Sequence, residues 1–260
     1  MVVRPARYGL RGDDGMVAFA QWPDMDGFFV GRESAYEAAE IPAEELQTVR
    51  VALRGVDWVD AAADRRTHRI VLGAAVLEVY GAGGHVLGDY PLWDADLAGA
   101  ADATLSARVE TLPHAGAEWA WDRWRSGWPD RAGAWVALPI GEREGWLEVA
   151  RIAAFRVSRT SYPTLGVEHQ IDGSHIGDLA SFFCAVGEAL AGPGGHCGSS
   201  FADLADCVRY SPRTVARPRV VWRDMAVAEK ALGGPAHAGA SLLDVAVGTL
   251  ASGAIDVIPA

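Results

Sequence analysis

Residues Val167–Val208 read VEHQIDGSHIGDLASFFCAVGEALAGPGGHCGSSFADLADCV, and the order of patterns within this stretch decides the fold of the carboxy-terminal part. Val167 to Ile171 is a short strand closed by the turn pair Asp172-Gly173. Leu179, Phe182, Phe183, Val186 and Leu190 then recur at helical spacing, which predicts an amphipathic helix. Gly192-Pro193-Gly194-Gly195 stops it, and a second helix starts at Ser199 or Ser200 with an apolar stripe of Phe201, Leu204, Ala205 and Val208. Arg219 to Trp222 is a β-branched strand, Ala226 to Leu232 and Ser241 to Leu250 are helical, and Ala254 to Ile258 is a final strand. Strands separated by helices predict an α/β domain: a small three-stranded parallel sheet flanked by helices.

Upstream the rhythm changes. Nine of the ten Trp lie at or before Trp146, whereas Cys184, Cys197 and Cys207 all lie beyond it, so two different cores are expected. The polar stretch Arg156 to Gly166, with Pro163 and Gly166, is the linker candidate and places a boundary near Tyr162, dividing the chain into residues 1–160 and 161–260. The first part reads as strand-rich α+β. Tyr8 to Leu10 and Met16 to Trp22 flank Gly12-Asp13-Asp14-Gly15 as one hairpin; Arg69 to Tyr80 and His85 to Tyr90 flank Gly81-Ala82-Gly83-Gly84 as another. Thr104 to Leu112 alternates with Leu105, Ala107 and Val109 on one face. Helices are expected at Pro42 to Val49, where Pro42 precedes Glu44 and Glu45, and at Ala115 to Ser126. Trp119, Trp121, Trp124 and Trp128 are read as core rather than as a ligand platform, because such rings at helical spacing are usually buried.

The chain has 260 residues, 50% apolar and 22% charged, enough to bury a core and too apolar for a disordered polymer. No apolar run approaches the ~18 residues that a membrane span needs, so no membrane association is expected. The first fifteen residues carry three Arg and two Asp without an apolar core segment, which does not read as a secretory signal and makes cytoplasmic residence the expectation. Three cysteines cannot all pair within the chain, which fits a reducing compartment. The net charge of −11 disfavours nucleic acid as a partner and favours a basic protein.

Chemistry-bearing motifs are scarce. The chain holds no G-x-S-x-G, P-loop, H-E-x-x-H or C-x-x-C motif. Gly192 to Gly198 ahead of a helix superficially resembles a phosphate cradle, but its glycine spacing misses the dinucleotide fingerprint and no P-loop Lys follows. His196 with Cys184, Cys197 and Cys207 matches no standard zinc spacing, so packing in the core is favoured for the cysteines, with no metal and no cofactor. A trio of Ser199, His196 and Asp206 lacks an oxyanion-hole motif, and no enzymatic activity is expected.

The segment Phe182–Val208 resembles the barstar family of intracellular ribonuclease inhibitors, and the resemblance extends from about Val167 to Ala260. It is carried by the strand ending Ile171-Asp172-Gly173, the loop with Gly198, Leu204 and Asp206-Cys207 on the helix, Trp222-Arg223 closing a strand, and the last helix and strand. Residues 1–160 resemble the extra amino-terminal domain of longer bacterial members. The resemblance implies a helix whose acids enter a nuclease active site in place of RNA phosphates. Asp206 matches the central acid, and by helical geometry it lies about 150° from the apolar stripe, towards solvent. Ala202 stands where the family has a second acid, with Asp203 beside it; Ser200-x-x-Asp203 is also a capping pattern. His196 and Cys197 stand where the family has two aromatics, Ser200 where it has Asn, and Gly248 where it has an acid on the last long helix. Arg209, Arg213, Arg217, Arg219 and Arg223 follow and would repel a basic partner if they reached the docking face.

The expected function is therefore inhibition of a ribonuclease or nuclease toxin, an immunity-type role. Asp206, Asp203, Ala202, His196, Gly198 and Ser200 form the expected partner-binding set. The alternative is a diverged interaction module of the same fold that no longer binds a nuclease.

Overall fold

The computed structural model describes residues 4–13, 15, 17–32, 46–59, 68–157, 162–234 and 240–260. The chain groups into two units, Met1–Gly127 and Trp128–Ala260.

In the first unit eight strands form one antiparallel sheet. They are β1 (Tyr8–Gly12), β2 (Ala20–Trp22), β3 (Asp24–Asp26), β4 (Gln47–Arg54), β5 (Asp57–Trp58), β6 (Arg69–Tyr80), β7 (Val86–Gly99) and β8 (Asp102–Val109), in the order β3-β4-β8-β7-β6-β1-β2-β5. Both expected hairpins are present. Tyr8 pairs with Trp22 across the first, and the second closes through Gly81–Gly84 between the long strands β6 and β7. Alternation in β8 buries Ala103, Leu105, Ala107 and Val109, the face read from the sequence.

The helix expected at Pro42 to Val49 is corrected over its described end: Gln47–Val49 begin β4, while residues 42–45 lie outside the described residues. Val49, Val51 and Leu53 alternate inward, and β4 pairs with β8 from Gln47↔Val109 to Arg54↔Asp102. A period of two continuing past the window with Pro42 and the two Glu outweighs the helix-start signal. The helix α1 (Ala115–Trp124) is capped by His114, whose Nδ1 accepts the Gly116 N–H. It buries Trp121 and Trp124, and Trp121 Nε1 donates to Tyr90 Oη at 2.8 Å. Trp128 lies beyond the helix and is 44% exposed, so the Trp series is only partly core.

The second unit begins well before the expected boundary near Tyr162. A 3-10 turn at Ala134–Ala137 leads to α2 (Arg143–Val157), and both pack on the parallel-sheet module through buried polar contacts. The Arg143 guanidinium donates to the Leu138 and His175 carbonyls and to Ser181 Oγ, and it lies 5.1 Å from the Trp135 ring. The linker candidate is partly outside the described residues, at 158–161.

Then follow β9 (Glu168–Asp172), α3 (Leu179–Ala191), α4 (Phe201–Tyr210), β10 (Arg219–Arg223), α5 (Met225–Leu232), α6 (Leu242–Ser252) and β11 (Asp256–Pro259). The three strands form the parallel sheet that the alternation of elements predicts, and their order is β11-β10-β9. Helix α3, started by the Asp178 side chain on the Ser181 N–H, is buried along most of its length. Phe182 stacks on Trp222 with centroids 5.7 Å apart, and Phe201 of α4 lies 5.4 Å from Phe183. Leu204, Val208, Val220 and Leu250 complete this core with no exposed surface. Burying side chains of this size stabilises the unit by about 1.5–3 kcal/mol each.

Candidate docking face on the fourth helix

The site is built from the glycine loop and the helix that follows it. Gly192 ends α3 at φ 85°, and the loop then turns back over that helix so tightly that a Cβ on Gly187 would lie 2.5 Å from the Gly195 carbonyl oxygen. Beneath the loop sits Glu188, 7% exposed. Its carboxylate accepts the N–H groups of Gly194 at 3.0 Å and Gly133 at 2.6 Å, and Trp135 Nε1–H at 2.9 Å. Burial pushes the Glu188 carboxyl up, and these three donors oppose the shift. The phosphate-cradle reading loses its donors here: the Gly194 N–H is taken by Glu188 and the Gly195 N–H by the Gly192 carbonyl. A buried carboxyl below the loop also disfavours an anion.

The loop enters α4 through Gly198 at φ 104°, where a Cβ would lie 2.6 Å from the Leu204 nitrogen. Only glycine fits that approach without displacing the helix backbone. Ser200 is the N-cap, accepting the Asp203 N–H at 3.1 Å, and Asp203 accepts from the Ser199 N–H and hydroxyl at 3.4 and 3.3 Å. Asp203 is thus exposed but engaged in capping. Ala202 is exposed. Asp206 is exposed and makes no hydrogen bond or ion pair among the described residues.

His196 is half-buried rather than fully presented to solvent. Its Nδ1 is buried without a partner among the described residues, and burial, reinforced by the nearby Arg151 charge, pushes its pKa down to about 4 against the opposing charge of Asp203. The expected set therefore divides. Gly198 and Ser200 shape the loop and cap, Asp203 caps, Ala202 and Asp206 face outward, and His196 is half-buried with its Nδ1 turned inward. Ser199, His196 and Asp206 are not joined as a trio, since the Ser199 hydroxyl is turned to Asp203.

Two features were missed in the sequence. Cys197 and Cys207 form a disulfide with Cα atoms 5.6 Å apart, which corrects the expectation that both are plain core residues; Cys184 remains a buried free thiol. A separation of ten residues matches no motif, and the pairing depends on the backward turn at Gly198. Tyr210, 57% exposed one turn beyond Asp206, touches Tyr162 at 5.8 Å between ring centroids. An aromatic four residues after an acid is the only sequence signal for it. Of the five arginines from Arg209 to Arg223, three are turned to partners: Arg213 caps the helix through the Val208 carbonyl, Arg217 pairs with Asp256, and Arg219 pairs with Glu168.

Among the described residues no group of three or more His, Cys, Asp or Glu is placed to hold a metal, and no helix is long and apolar enough to cross a membrane. No protein-family model, curated protein or solved structure matches this chain.

Proposed function

We propose that this chain is a non-enzymatic protein inhibitor of the barstar type that docks a basic ribonuclease or nuclease toxin through the outward face of α4. The observation that supports the reading best is Asp206: an exposed carboxylate without a partner among the described residues, on a helix fixed at its start by Ser200 and Gly198. Such a group accepts charge-assisted hydrogen bonds from Arg, Lys or His of an incoming surface without first breaking a bond of its own. Tyr210 and Tyr162 beside it add aromatic area of the kind that interfaces favour. A three-stranded parallel sheet flanked by helices is the arrangement that the resemblance implies.

The test is RNA cleavage by a barnase-like ribonuclease with and without the protein, at low and moderate salt, alongside Asp206→Ala. Inhibition that weakens with salt and collapses on substitution supports the reading. No inhibition at micromolar protein removes that target class. The second reading, a diverged interaction module, is favoured by the engagement of Asp203 in capping and the half-burial of His196. A captured partner whose binding survives Asp206→Arg would support it.

A further inference from the structure

The Cys197–Cys207 disulfide encloses nearly all of the proposed docking segment: Gly198, Ser200, Ala202, Asp203 and Asp206 lie between its ends, and His196 adjoins it. We propose that this bond is a redox control on the docking face, which is preorganised when the disulfide is closed and loosened when a dithiol reductant opens it. The proposal rests on the reading of α4 as the partner-binding face.

The two ends of the bond are held very differently without it. Helix α4 keeps Leu204 and Val208 fully buried, Phe201 against Phe182 and Phe183, its Ser200 cap, and Arg213 on the Val208 carbonyl. The loop end keeps much less. Glu188 holds Gly194 and the Gly192 carbonyl holds the Gly195 N–H, but beyond them His196 Nδ1 has no partner among the described residues and the Ser199 contacts to Asp203 are long. Opening the disulfide therefore leaves the helix seated and frees residues 196–199, a local change rather than unfolding. A looser loop makes binding costlier, since it must be ordered on association.

The chemistry is ordinary thiol–disulfide exchange. A thiolate of the dithiol attacks one cysteine sulfur, the other cysteine leaves as a thiolate and takes up a proton, and the second thiol of the reductant resolves the mixed disulfide. Two electrons pass to the protein, which gains the Cys197 and Cys207 thiols, and the reductant becomes a disulfide. Both sulfurs belong to residues only 2% and 3% exposed, so exchange proceeds through opening of the loop and is slow in the native state.

The experiment uses the full chain. Alkylation after denaturation without reductant should block one thiol, Cys184; three blocked thiols would overturn the proposal. Hydrogen exchange is then compared before and after incubation with dithiothreitol, and in the double variant Cys197→Ser/Cys207→Ser, with Cys184→Ser as the control for thiol chemistry. The expected result is at least about tenfold faster exchange in residues 196–199, with Arg219–Arg223 unchanged. Inhibition of a cysteine-free ribonuclease should weaken about tenfold or more in the reduced form. Unchanged exchange, or equal inhibition by both forms, overturns redox control and leaves the inhibitor reading standing. A loosened loop with no inhibition by either form supports the redox-controlled loop and overturns the ribonuclease as its partner.

Discussion

The Gly133 N–H donates to the Glu188 carboxylate at 2.6 Å, tying a segment that precedes α2 to the helix beneath the glycine loop. The Trp135 indole donates to the same oxygen, and Arg143 adds its bonds to His175 and Ser181. A fragment of residues 161–260 would leave Glu188 and Ser181 without these partners in the core. We expect it to melt well below a fragment of residues 128–260, by several kcal/mol of stability, since each lost partner of a buried polar group costs about 1–3 kcal/mol. Equal melting of the two fragments by circular dichroism would refute this.

Glu188→Gln keeps the shape but turns an amide N–H₂ toward N–H donors. A loss of about 1–3 kcal/mol is expected in urea unfolding. The folded protein raises the Glu188 carboxyl above its ordinary 4.5, so it holds this proton to higher pH than the unfolded chain. The group's contribution is full below that value and is lost as pH rises through the raised one, so the gap between wild type and variant should narrow with rising pH. A gap that widens would contradict the assignment.

His196 has the opposite sign. Its pKa is lowered from 6.5 to about 4, so the unfolded chain takes up the proton first as pH falls between those values. Wild type should lose about 1–3 kcal/mol more than His196→Gln when pH is lowered from 7 to 4.5. Parallel stability curves for the two proteins would place His196 in solvent instead.

Asp206→Ala should be silent for folding and costly for binding. With no partner among the described residues, its removal changes stability by no more than about 0.5 kcal/mol. Affinity for an inhibited ribonuclease should fall by at least about 2 kcal/mol, roughly thirtyfold. Calorimetry and melting curves on one preparation separate these effects, and a variant that binds normally sinks the role assigned to Asp206.

Gly198→Ala tests the loop. The position is at φ 104° with the Leu204 nitrogen in the way of a Cβ, so a loss of at least about 1 kcal/mol is expected. An unchanged melting temperature would show that the loop adopts another path.

Local pattern made much of this molecule legible. The Leu179–Leu190 repeat, the Phe201–Val208 stripe and the β-branched run at Arg219 were enough to order the parallel-sheet elements, because each signal lies within a few neighbouring residues. Helix α2 was not read. Its buried Trp146, Val149, Ala150 and Ala153 stand at i, i+3, i+4 and i+7, with Leu147 beside them, so a helical stripe is present in the sequence. The start of β4 carries a competing Pro-Glu signal whose outcome depends on a partner strand about sixty residues away in β8.

The sequence by itself determined the kinds of element, their order in the carboxy-terminal part, and the outward placement of Asp206, because periodicity and capping are short-range properties. Tertiary structure alone decided that Gly133, Trp135 and Arg143 belong with α3, that His196 turns its Nδ1 inward, and that Cys197 meets Cys207. Those outcomes depend on where distant backbone returns. A buried carboxylate finds its N–H donors, and a sulfur its partner, only after the chain has closed around them.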